Sequence, residues 1–413
     1  MDPHLSCKGG PYMAGRRSNG EGTAYYNEKR LRWEAQATYK DSDGSTKRKM
    51  FTGKTQREVN AKKRDWVKNL DDGLLPEASK LTVGVWVDRW LEDFVKPSVR
   101  TKTYEKYFSC MKYIKAKFND VPITKLSIPD IQKFFNELLV NGGVEKKGLA
   151  SLTVRGIRRY FITCLDKAVK IGLLIKNPAK LTDPPKISKE EIHPLNKEQA
   201  KGLLSTAKEQ AKLSLDMARK GAEMSQSDVY IAVYIALSTG MRLGEVLGLK
   251  WEDIHFDQKI ITVRRSRVGT QHGFQIEEPK TGVARKIPVH DDLLKALKTH
   301  QKRQDWHKER IGDKYEDSGW IIGGSFGRCY YPKHFSSRKY KDLLQLAGID
   351  KSFTFHDLRH THASLLLLDG INPKIVQERL GHASIEMTLD TYSHLLPDTQ
   401  DVAVQAVAAF LVG

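Results

Sequence analysis

Apolar positions along this 413-residue chain change their spacing from one stretch to the next. From Thr23 to Thr52 they come in short runs, TAYYN, RWEAQATY and TKRKMFT, broken by charged residues and by Asp43-Gly44, a pair that favours a tight hairpin turn. Thr55 then stands where a helix cap belongs, and Val59, Trp66 and Leu70 follow as its candidate buried positions. The pattern predicts a small α+β domain, a three-stranded sheet plus one helix, over residues 16–70. Residues 1–15 hold Gly9, Gly10, Pro11 and Gly15 without periodicity and read as a disordered segment, with Met13 an alternative to Met1 as the natural start.

The linker 71–80 carries Gly73 and Pro76, and the spacing then becomes helical. WVDRWLEDFV, TKTYEKYFSCMKYIKAKF, IPDIQKFFNELLV and LTVRGIRRYFITCLDKAVKIGLL each repeat apolar residues at helical intervals, which predicts an all-α domain over 81–176. A second linker, 177–194, holds Pro178, Pro184, Pro185 and Pro194. Residues 195–396 are mixed but mainly α. Their strand-like runs KIITVRRSRV, FQIEE and ARKIPV predict a small antiparallel sheet with turns around Thr270–Gly273 and Pro279–Gly282. The tail 397–413 reads PDTQDVAVQAVAAFLVG, nearly all apolar from Val402 on, and is expected to dock as a short helix.

Charge narrows the partner. Lys and Arg number 69 against 50 Asp and Glu, a net +19, which favours a polyanion and nucleic acid ahead of a membrane surface. The excess is uneven: residues 1–70 hold 16 basic and 8 acidic side chains, and 80–180 hold 20 against 9. The first 180 residues thus carry most of any phosphate neutralisation, and the rest must offer something more specialised. No apolar run approaches the ~18 residues of a membrane span. The four cysteines form no CxxC pair, so neither zinc site nor disulfide framework is expected and a reducing cytoplasm fits.

Five short motifs in 195–396 carry the chemistry. Ser238-Thr-Gly-Met-Arg242-Leu-Gly-Glu245 follows an apolar helix, and Gly240 breaks it so that Arg242 opens the next, where anions already bind. Pro279-Lys280-Thr281-Gly282 puts a mobile cation on a turn. In His356-Asp-Leu-Arg359-His360, residues three apart share a helical face, so His356 and Arg359 can meet one anion. Leu380-Gly381-His382 ends a helix, and Thr391-Tyr392-Ser393-His394-Leu395 comes ten residues later. Each motif alone has a plain reading: a surface arginine, a solvated lysine, a packed tyrosine. Their order together is what is specific.

In that order the chain resembles the tyrosine recombinases, or lambda integrase family, and most of all the integrases of conjugative transposons and temperate phages. The resemblance implies a catalytic domain over 195–396, with catalytic residues Arg242, Lys280, His356, Arg359, His382 and the nucleophile Tyr392. Glu245 is expected to support Arg242. It implies that 81–176 binds core DNA sites, and that 16–70 binds arm-type sites through a sheet face bearing Arg32, Lys47 and Lys49. Strand cleavage would pass through a 3′-phosphotyrosine, integrating and excising a mobile element. The expected partners are double-stranded DNA and a homo-oligomer, a tetramer on DNA assembled through the tail, with an excisionase or DNA-bending protein as a helper. The acting protein would be cytoplasmic, at the nucleoid. No acidic cluster has metal-ligand spacing, and neither metal nor cofactor is expected. A type IB topoisomerase shares this chemistry, and INPKIVQERLGHASIEMTLDTYSHL has some likeness to a helix-turn-helix regulator.

Overall fold

A computed structural model describes residues 24–40, 45–71, 78, 80–143, 147–187, 193–218, 225–270, 273–278, 284–393, 404, 407–409 and 411. The chain divides into two units, Met1–Ser188 and Lys189–Gly413.

In the first unit β1 (Tyr25–Asn27), β2 (Arg32–Lys40) and β3 (Thr46–Gly53) form an antiparallel sheet in sequence order. The Asp43-Gly44 turn lies outside the described residues. Directly paired residues share a face, and here Ala35 pairs with Phe51, Ala37 with Lys49 and Tyr39 with Lys47. On that face Ala35, Ala37 and Phe51 are buried against Val59 and Trp66 of α1 (Gln56–Asp71), which Thr55 caps by accepting the Glu58 amide at 3.2 Å. This corrects the expectation that Arg32, Lys47 and Lys49 share one DNA-facing surface. Burial of Ala35 and Phe51 fixes the register, and with a period of two it sends Lys47 and Lys49 to the helix side. The Lys49 ammonium stands 5.0 Å from the Trp66 ring centre. Arg32 lies on the opposite face with Arg48, its guanidinium 2.8 Å from Glu34.

The helical part comprises α2 (Val83–Trp90), continued by a π-helical stretch Leu91–Val95, then α3 (Thr101–Phe118), α4 (Ile128–Asn141) and α5 (Ser151–Lys170). Thr82 caps α2 and Ser127 caps α4, as their hydroxyls suit them to do. Trp86, Met111, Ile114, Ile131, Phe135 and Phe161 fill the core, and the Trp86 indole donates to the Cys164 carbonyl at 3.2 Å. The stretch read as a linker from Asn177 is packed at its start. Pro178 and Ala179 are buried, and Arg158 of α5 holds the Thr182 hydroxyl at 2.9 Å.

The second unit contains α6 (Lys197–Ala218), α7 (Ser225–Thr239) and α8 (Leu243–Leu247), then β4 (Ile254–His255), β5 (Ile260–Val263), β6 (Ser266–Thr270), β7 (Gly273–Glu277) and β8 (Arg285–Pro288). Helices α9 (Asp291–Ile311), α10 (Pro332–His334), α11 (Tyr340–Leu346), α12 (Phe355–Leu368), α13 (Pro373–Leu380) and α14 (Glu386–Tyr392) complete it. α7 is apolar on every side and is correspondingly buried all round, with α6, α9 and α12 against it. The strands form two separate antiparallel sheets, β4–β5–β8 and the hairpin β6–β7. β7 and β8 therefore belong to different sheets and do not pair with each other; the Pro279–Gly282 turn expected between them lies outside the described residues. Among the described residues no helix is long and apolar enough to cross a membrane.

Candidate active site

Two glycines set the frame. α7 ends at Gly240, whose φ of +68° is open to glycine at little cost, and a Cβ there would come within 2.5 Å of Leu380 and 2.8 Å of the His362 ring. That turn delivers Arg242 to the start of α8. Gly381, with φ +66°, ends α13 in the same left-handed way and sets down His382. The Gly240 and Leu380 carbonyls left open by these turns both accept from Arg359 Nη1 of α12, at 2.9 and 2.8 Å. One arginine thus ties the ends of α7 and α13 together.

Glu245 is 2% exposed and is the hub of the second tie. It accepts the Arg242 backbone amide at 2.9 Å and the Arg242 guanidinium at 3.1 Å. Arg285 of β8 forks onto both of its carboxylate oxygens, at 3.1 and 2.7 Å, and reaches the Arg379 carbonyl at 3.1 Å. Burial alone would raise the Glu245 carboxyl, but the Arg285 hydrogen bonds and the charges of Arg285 and Arg242 outweigh it and hold it below its ordinary value. Arg285 and Arg379 carry no motif signal. Arg379 reaches the Ser238 carbonyl at 3.0 Å, a contact between residues 141 apart that only the fold creates.

Around these ties stand the titratable groups. Arg359 is 2% exposed, and burial, then the charge of Arg242, lower it to about 9. Its Nη2 is buried without a hydrogen-bond partner. His382 is lowered to about 4, first by burial and then by Arg359 and Arg242, and its Nδ1 lies 2.8 Å from the Thr388 hydroxyl. His356 keeps an exposed edge, yet the protein packed around it, then His360, Arg359 and Arg242, bring it to about 4. Tyr392 is 2% exposed, and burial raises its phenol to about 12 against the opposing pull of Arg359. Its hydroxyl lies 2.5 Å from Nδ1 of His360. The histidine in contact with Tyr392 is His360, the last residue of the His356–His360 motif. A helix repeat of 3.6 explains it: His356, Arg359 and His360 are i, i+3 and i+4 and share one face.

Five of the six residues singled out for catalysis, Arg242, His356, Arg359, His382 and Tyr392, are thus gathered in the second unit. The sixth, Lys280, lies outside the described residues. The arrangement offers converging arginines, neutral imidazoles and a buried phenol, the equipment of acid–base and nucleophilic chemistry on a phosphate.

The phage integrase family model matches residues 194–398, and the phage integrase N-terminal SAM-like domain matches 82–139. A tyrosine recombinase XerC-like protein of Caldanaerobacter subterraneus subsp. tengcongensis is 29% identical over 384 residues, covering 89% of this chain and 93% of its own. Among solved structures, the Tn1549 transposon integrase with a circular intermediate DNA aligns with TM-score 0.64 at 22% identity, over 79% of this chain and all of that one. A lambda integrase tetramer bound to a Holliday junction aligns with TM-score 0.56 at 21% identity, over 93% of this chain and 97% of that one. With both of the family's regions matched in order, the chain belongs to the phage integrase family, tyrosine recombinases that cut and rejoin DNA in integrating and excising mobile elements.

Proposed function

We propose that the second unit cleaves and rejoins DNA through Tyr392, with Arg242 and Arg359 clamping the non-bridging oxygens of the scissile phosphate. The observation that carries this is the double tie of Arg359 to Gly240 and Leu380. It holds the arginine rigid beside Arg242 and His382 and leaves Nη2 as a donor still to be filled. Such fixed donors act most strongly on the charge that grows in the transition state, and removing one typically costs about 10²–10³ in rate. Tyr392 attacks phosphorus to give a 3′-phosphotyrosine and a free 5′-hydroxyl. A 5′-hydroxyl of the partner strand reverses the step, so the energy of the broken linkage is conserved. Lys280 is the candidate donor of a proton to the leaving 5′-oxygen, His382 donates to the phosphate, and Glu245 orients Arg242.

The helical part, 81–176, would hold the core site and 16–70 an arm-type site, with the outer sheet face of Arg48 a better candidate contact than Lys47 or Lys49. A tetramer on DNA, as in the lambda integrase structure, is the assembly this layout suits, with an excisionase or DNA-bending protein as helper.

The test is to trap the protein on a nicked duplex carrying candidate ends of its own element. Tyr392→Phe is expected to abolish the covalent adduct while leaving binding of the intact duplex unchanged. An adduct mapped to another tyrosine would overturn the assignment.

A further inference from the structure

We infer that His360 is the general base of strand cleavage, taking the Tyr392 proton on Nδ1 as the phenol attacks; the inference rests on Tyr392 being the nucleophile. The geometry is direct. The 2.5 Å contact joins the hydroxyl to one ring nitrogen, within the reach required of a base. His356, four residues back on the same helical face, lies edge-on to His360 with ring centres 4.9 Å apart, while the ring centres of His360 and Tyr392 are 5.7 Å apart. The three rings form a file from the exposed edge of α12 to the buried hydroxyl, with His360 in the middle.

The chemistry requires such a group. A phenol raised to about 12 by burial is almost wholly protonated at neutral pH and is a poor nucleophile until its proton has somewhere to go. His360 is lowered first by burial, with Arg359 adding to that and Asp357 opposing it, so it is neutral and free to accept. The charged and titratable groups around it are Asp357, Arg359 and His356 on its own helix, Tyr392 on α14 and His382 after α13.

The step balances. The Tyr392 O–H bond breaks and its proton moves to His360. The phenolate oxygen bonds phosphorus, the bond from phosphorus to the 5′-oxygen breaks, and the leaving oxygen takes a proton from the acid on its side, for which Lys280 is the candidate. In rejoining, the imidazolium of His360 returns the proton to the departing phenolate. This leaves His356 for the phosphate.

The experiment follows adduct formation in single turnovers from pH 6 to 9.5 on the nicked duplex, with wild type, His360→Gln and Tyr392→Phe. For wild type the rate should level off above the titration of His360. For His360→Gln it should fall by about 10²-fold at pH 7 and then climb roughly tenfold per pH unit as hydroxide replaces the base. His360→Asn serves if the Gln variant does not fold, with binding of intact duplex as the check on folding. An unchanged rate and profile would overturn the inference, as would a faster rate, which would make His360 a latch. A fall that higher pH does not relieve would overturn it too, since His360 would then only position the ring. Adducts persisting in Tyr392→Phe would instead sink the nucleophile assignment, a separate result.

Discussion

Glu245 touches no reacting atom in the proposed chemistry, yet two arginines depend on it. Replacing it by Gln would leave Arg285 and Arg242 facing each other without an intervening charge. Breaking a buried pair from one side costs about 3–5 kcal/mol, and the partial exposure of Arg242 places Glu245→Gln near the lower end. The loss should appear as a lower urea midpoint at pH 7. Because the carboxyl is held below its ordinary value, its stabilisation is complete above the unfolded pKa of about 4.3 and drains away as pH falls through the lower folded value. The gap between wild type and Glu245→Gln should therefore narrow in acid. A gap independent of pH would mean that side-chain shape, not charge, holds the site.

Gly381 shows how one element end governs several side chains. Alanine there would suffer a left-handed backbone, at about 1–2 kcal/mol, and its Cβ would lie 3.1 Å from Arg285 Cδ and 3.2 Å from Nε. Gly381→Ala should lower the unfolding free energy by that amount, read from a lower urea midpoint, and also reduce adduct formation, because Arg285 and His382 both shift. A stable but fully active variant would show that the α13 turn does not set the site. Much at this scale was legible beforehand. Four helices after residue 81, the three N-terminal strands and the Thr55 cap follow directly from periodicity and capping chemistry. The motif arginines, histidines and tyrosine stood out because each sits at a helix end or on one helical face. What periodicity cannot convey is which strands pair. β5 skips the β6–β7 hairpin to join β8, and Arg285 meets Glu245 from 40 residues away. His360 was in view inside its motif but had no assigned task, since only the position of α14 gives it one. The faces of Lys47 and Lys49 followed from a register that burial set, not charge.

At the scale of the molecule the charge is lopsided: the first 180 residues carry most of the net +19, and the second unit carries the chemistry. The apolar tail after Pro397 must add something else. Its described residues Val404, Val407 and Leu411 are helical, with 66%, 45% and 74% of their surfaces exposed, a cost at ~25 cal/mol per Å² that docking would remove. If the tail seats on a neighbouring protomer, a head-to-tail contact closes into a ring. Deleting 398–413 should then weaken assembly on paired DNA sites while the protein stays folded and binds a single core site. Unfolding, or normal recombination, would count against an assembly role. The enclosure of Tyr392 also bears on fidelity. With Tyr392 as the proposed nucleophile, the ester that would replace its hydroxyl is an activated bond, and water competes with the one strand end meant to open it. Side chains that leave Tyr392 2% exposed would keep solvent from that bond as well. The break in the DNA is thereby held open for a strand that arrives by pairing, and hydrolysis, which would leave a permanent nick, is kept slow.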